Sequence, residues 1–160
     1  MILLVLPLAL FTSCEDDDMV WDFAVWNVVV TATDADGVDL FEETKSGELF
    51  AECDGNHYPL SAEHTRAIPA IWRGLIKRYD SRTGLDRVLF GQFTPESGYR
   101  RKSFTLNWQD GTSVEITFDC YITWKRQKAT VHTSAKVNGK TSWVDPQTGM
   151  VISVFMEMGY

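Results

Sequence analysis

The chain has 160 residues, is 44% hydrophobic with six tryptophans and nine phenylalanines, and carries a formal charge of −7. That apolar share excludes a disordered chain and predicts one domain with a sizeable core, while the net acidity argues against a nucleic-acid partner. The charge is uneven, because residues 15–63 hold 14 acids and one base, Lys45, whereas residues 64–160 hold 8 acids and 14 bases. The bases fall in short groups, Lys77-Arg78, Arg100-Arg101-Lys102 and Lys125-Arg126. Strands of the two halves pairing across a sheet are therefore expected, in preference to one polyanion-binding stripe.

The chain opens on an apolar run over residues 1–13, followed by Cys14 and then Glu15, Asp16, Asp17 and Asp18. Ile2 to Phe11 has the length of a signal-peptide apolar region, roughly 7 to 15 residues, and falls short of the roughly 20 that cross a bilayer as a helix. Residues 1–13 thus read as an export signal, 14–20 as an acidic tether and 21–160 as a single domain. Export signals ordinarily open with Lys or Arg, and nothing charged precedes Glu15, which places the true start a few codons earlier. The small residues before Cys14 resemble the lipobox of bacterial lipoproteins, and the acids behind it resemble the surface-export signal of Bacteroidetes lipoproteins. The resemblance implies lipid on Cys14, attachment to the outer membrane through that lipid, and display at the cell surface, with the periplasmic face as the alternative.

Beyond the tether the periodicity is that of strands. An opening strand is expected over Trp26 to Thr33, ending at Asp34-Ala35-Asp36-Gly37, with a short turn of helix around Phe41 to Ser46. Asp54-Gly55-Asn56 separates Leu49 to Cys53 from His57 to Leu60, and Ser81-Arg82-Thr83-Gly84 joins Ala70 to Tyr79 with Leu85 to Phe93. Phe104, Leu106 and Trp108, and then Val114, Ile116, Phe118, Cys120, Ile122 and Trp124, alternate with polar residues around Asp110-Gly111, the pattern of a tight hairpin with one buried face. Asn138-Gly139 joins Thr130 to Val137 with Lys140 to Trp143, and a last strand spans Met150 to Met158. Short strands at regular spacing predict an all-β fold: an antiparallel β-sandwich of two sheets and about eight strands.

Trp26 to Leu40, a valine-rich strand followed by Asp34, Gly37 and Leu40, resembles the first strand and turn of bacterial immunoglobulin-like and transthyretin-like domains. Phe104 to Thr112, with its Trp and Asp-Gly turn, is similar to polycystic-kidney-disease-type domains. With the lipobox and tether, the chain resembles small surface lipoproteins of Bacteroidetes. That likeness implies an immunoglobulin-like sandwich and a location, and it carries no catalytic residues.

With Cys14 lipidated, Cys53 and Cys120 remain. Either they form a disulfide, contributing roughly 4 kcal/mol in the chain-entropy model, or they are two buried thiols. No catalytic pattern stands out: Gly-x-Ser-x-Gly is absent, and His57, His64 and His132 lack metal-site spacing. Glu52, Asp54, His57, Glu63 and His64 form the nearest zinc-like group, and Asp34, Asp36 and Asp39 the nearest calcium-like one. Both read better as wet turns, so no metal or cofactor is expected. Asp110, Glu115 and Asp119 contain an acid and a base for glycoside cleavage, but Glu115 and Asp119 take the solvated phase of a strand.

Binding is the better expectation. Trp26, Trp72, Trp108 and Trp124 are assigned to the core. Tyr99, beside Arg100 and Arg101, then Tyr121 and Trp143, are assigned to the surface as contacts for a glycan or a protein. A small anchored hydrolase is the alternative.

Overall fold

Asp110 and Gly111 show how local chemistry writes this fold. The Asp110 carboxylate accepts the Thr112 amide at 2.8 Å, Gly111 takes the left-handed conformation (φ 90°), and the flanking residues are thereby turned into a hairpin. A computed structural model describes residues 25–61, 74–94, 98–126, 128–144 and 151–158. The signal segment, Cys14, the tether, Glu63, His64 and Trp72 lie outside them. The described strands are β1 (Trp26–Asp34), β2 (Leu49–Cys53), β3 (Asn56–Ser61), β4 (Leu75–Asp80), β5 (Leu85–Phe93), β6 (Tyr99–Trp108), β7 (Ser113–Lys125), β8 (Lys128–Val137), β9 (Lys140–Ser142) and β10 (Val151–Met158). Along β7 the expected alternation holds: Val114, Ile116, Phe118 and Cys120 are buried while the residues between them reach solvent.

The all-β class is as expected, but the assembly differs from an antiparallel two-sheet sandwich of eight strands. Ten strands form one curled mixed sheet in the order β10-β1-β5-β4-β3-β2-β6-β7-β8-β9, a half-barrel. Two pairings are parallel, β1 with β10 and β3 with β4. The second is the seam. β3 pairs with β2 from Asn56 to Pro59, and its last residues, Leu60 and Ser61, pair with Leu75 and Ile76 of β4. Side-chain alternation records which face a residue takes and is silent on the direction of the neighbouring strand.

Curling brings the two sides of the sheet face to face. Phe90 of β5 stacks on Phe104 of β6 with ring centroids 4.2 Å apart, and Phe93 meets Phe118 of β7 edge-on at 4.7 Å. Each of these buried rings contributes roughly 1.5–3 kcal/mol by leaving water. β10 lies against β8 and β9, so the curl brings the ends of the sheet together.

Residues 41–46 form a single hydrogen-bonded turn, Thr44 N–H to the Phe41 carbonyl at 3.1 Å, and no full turn of helix. Lys77 pins this loop, donating to the Phe41 and Glu42 carbonyls at 2.9 Å each while facing Asp86 at 3.5 Å. Asp34 and Asp39 are likewise used in turns. Asp34 accepts the amides of Asp36 and Val38, and Asp39 accepts those of Phe41 and Asp86.

Cys53 and Cys120 are both buried thiols outside any disulfide, Cys53 Sγ lying 3.5 Å from the Ser103 carbonyl oxygen. They stand on β2 and β7 with β6 between them, so two strand spacings, about 9.6 Å, exceed the Cα separation of roughly 7 Å that a bridge can span. The buried-thiol alternative is the one the topology accommodates. Burial pushes the Cys120 thiol up to about 12.

Candidate binding face on β6 to β8

β6 carries a bulge at its start. Tyr99 pairs with Cys120 and Lys102 with Phe118, three steps on β6 against two on β7, and Arg101 takes φ 50°. The extra residue reverses the side to which Tyr99 points. Tyr99, expected on the surface, is half-buried and packs edge-on against Phe93 at 5.2 Å. Arg100 is thrown outward, its guanidinium carbon 3.6 Å from the centroid of the Tyr121 ring.

β7 and β8 supply the rest. Tyr121 pairs in register with His132, and their rings stack at 4.8 Å and 14°. Because β7 lies between β6 and β8, Arg100 and His132 cover opposite faces of Tyr121. The tyrosine expected to stack on a ligand therefore offers its edge and hydroxyl, and the outward planes belong to Arg100 and His132. The His132 Nε2 atom lies 2.7 Å from Thr123 Oγ1.

Two register pairs further along the same face, Asp119 Oδ2 accepts the Ser134 hydroxyl at 2.6 Å and Oδ1 accepts the Arg101 amide at 2.8 Å. Burial on its own would raise the Asp119 carboxyl, but the Ser134 hydroxyl, the Arg101 amide and the charges of Arg100 and Arg101 outweigh it and hold it below the ordinary carboxylate range. Asp119, Tyr121, His132 and Ser134 line a shallow depression of about 330 Å³.

Of the residues expected to bind, Arg100, Arg101 and Tyr121 come together, with Arg101 contributing its backbone. Trp143 is 59% exposed but lines a different depression, with Thr31, Thr33 and Glu157. His132, Thr123 and Ser134 were not singled out as binding residues, although each lies on the polar phase of its strand. Trp124, assigned to the core, is 51% exposed, because the inward phase of β7 runs on past Tyr99, where its pairing with β6 stops. Trp26 and Trp108 do pack on the core, Trp108 lying parallel to Phe41 at 6.0 Å.

Among the zinc-like residues, Asp54 is paired with Lys102, and His57 rests on Phe50 at 4.3 Å. Asp110 is tied into its turn, the Thr112 amide and hydroxyl lowering its pKa. Glu115 is exposed, and its amide donates to the Asn138 side chain at 2.9 Å. No helix among the described residues is long and apolar enough to cross a membrane. Protein-family models, curated proteins and solved structures offer no match to the chain.

Proposed function

We propose that the chain is a non-catalytic module of the cell envelope, exported and held to the outer membrane by lipid on Cys14, that binds a glycan on the outer face of β6 to β8. The observation that carries the binding is the preorganised row Arg100, Tyr121 and His132, with Asp119 and Ser134 beside it. Planar groups and fixed hydrogen-bonding groups on a rigid sheet suit hydroxyl-rich rings, since little side-chain entropy remains to be lost on binding. Asp119 supports a role without catalysis. It is held ionised and both its oxygens already accept hydrogen bonds, so it is a poor proton donor near neutral pH.

A glycan array probed with the full chain tests this. Binding should be lost in His132→Ala and Tyr121→Ala and kept in Trp143→Ala, whose side chain lines the separate depression. Array binding left intact in the first two variants would refute the assignment. One observation favours the hydrolase alternative: the Thr123 hydroxyl and the His132 imidazole lie at the 2.7 Å separation of a nucleophile and its base. Turnover on a polysaccharide or peptide panel that disappears in Thr123→Ala would establish that reading instead.

A further inference from the structure

The basic groups that look scattered in sequence gather at one end of the half-barrel. β6 starts where β7 is ending, since Tyr99 pairs with Cys120, and β7 then runs on to Lys125 before β8 returns from Lys128. Arg100, Arg101, Lys125, Arg126 and Lys128 are all exposed there. Among the described residues none of the five forms an ion pair, whereas Lys77, Arg87 and Lys102 face Asp86, Asp80 and Asp54. The turns at the opposite end hold Asp36, Glu42, Glu43, Glu48, Asp80 and Asp110 against Lys45 and Arg82. Part of the charge split along the sequence thus becomes a split between the two ends of the fold.

The face between the cations is polar. Register pairs Asp119 with Ser134, Tyr121 with His132, Thr123 with Thr130 and Lys125 with Lys128, all on the outer phase. The apolar residues of the same hairpin, Ile122, Trp124, Ala129 and Val131, take the other phase. From Tyr121, under Arg100, to Lys125 is four residues, or about 13 Å, long enough to span more than one sugar ring. A face that docks on lipid would carry its aromatic and aliphatic groups among the cations. Here the cations are interleaved with hydroxyls, an imidazole and one carboxylate.

We infer that this ladder binds an acidic polysaccharide, with Arg100 at one end and Lys125, Arg126 and Lys128 at the other engaging carboxylate or sulfate groups on neighbouring sugars. The inference rests on the glycan-binding proposal and names its ligand class. The test measures binding of the full chain to polygalacturonate, dextran sulfate, neutral dextran and phosphatidylglycerol vesicles at low and high NaCl. The triple variant Lys125→Ala, Arg126→Ala, Lys128→Ala should bind polygalacturonate or dextran sulfate about tenfold more weakly. The double variant Lys136→Ala, Lys140→Ala, near the opposite end, should bind as the parent does. Parental affinity should fall as salt rises.

An unchanged urea midpoint in the triple variant would show that its loss is not unfolding. Whether polygalacturonate or dextran sulfate binds more tightly separates carboxylate from sulfate recognition. Equal binding by parent and triple variant would overturn the inference. So would neutral dextran binding as tightly as the charged polymers, although that result would leave the glycan proposal standing. Binding to vesicles alone would replace the polysaccharide with a membrane surface, and no binding to any probe would overturn the inference while leaving the glycan proposal to the array.

Discussion

Phe90 and Phe104 come from opposite sides of the curl, so their stacking reports whether the sheet folds onto itself in solution. Both are buried, with centroids 4.2 Å apart and rings inclined by 28°. Replacing either with alanine would remove roughly 3–5 kcal/mol, a large share of the roughly 5–15 kcal/mol a domain possesses, so leucine is the better probe. Each Phe→Leu change should cost about 1 kcal/mol in burial and packing, the difference between truncating Phe and truncating Leu to Ala. It also loses the ring pair, worth about 0.5–1.5 kcal/mol. Phe90 also meets Tyr58 and Phe93, and Phe104 meets Phe118, so each single variant should lose at least about 2 kcal/mol, and the double variant about 1 kcal/mol less than the sum of the two, because the shared pair is lost only once. Urea denaturation of the four proteins closes the cycle. A coupling of about 1 kcal/mol supports the facing halves. Losses that add within about 0.5 kcal/mol, the behaviour of residues not in contact, would refute the curl.

Asp119 should make stability depend on pH in one direction. Its folded pKa is depressed, so its contribution is fully present above the unfolded value, about 3.9. That contribution is lost as pH falls through the lower folded value. The gap in urea midpoint between the parent and Asp119→Asn should stay level from neutral pH down to about 5 and narrow below 4; a gap that widens in acid would contradict the assigned hydrogen bonds. In a Cys14→Ser chain, Cys53 and Cys120 should resist a thiol reagent at neutral pH in the folded state and react once urea opens it, and prompt stoichiometric labelling of that native variant would contradict their burial. Asn138 sits at φ 46° with its side chain accepting the Glu115 amide. Asn138→Ala should lower stability by about 1–2 kcal/mol, from left-handed strain plus the lost bond, whereas Asn138→Gly should cost less. A calorimetric melt in which alanine matches the parent would disprove that account.

The strands and their faces were legible wherever glycine, aspartate or asparagine fixed a turn. Gly111, Asn138 and Gly139 set their hairpins because the left-handed conformations needed there favour glycine and asparagine, and Asp110 adds its carboxylate to the Thr112 amide. The binding face was only half legible, for two reasons of the same kind. The last register pair of β7 and β8 is Lys125 with Lys128, Arg126 takes φ 49°, and no glycine stands between them in the sequence, so nothing in the sequence marked the register that sets His132 beside Tyr121. The β6 bulge places Arg101 in the same conformation. Strict alternation counted back from Phe104 sends Tyr99 outward, and the one inserted residue sends it inward while exposing two arginines side by side. In both places a non-glycine residue is held in a conformation that costs roughly 1–2 kcal/mol, and both lie at the edge of the proposed face. Strain persists only where surrounding structure over-determines it. At Arg101 the Asp119 carboxylate is one such determinant, because it accepts the strained residue's amide. The carboxylate that shapes the bulge is also the one that orders Ser134. Asp119→Asn should therefore disturb glycan binding although all five cations remain in the chain, because the bulge that carries Arg100 and Arg101 loses its carboxylate.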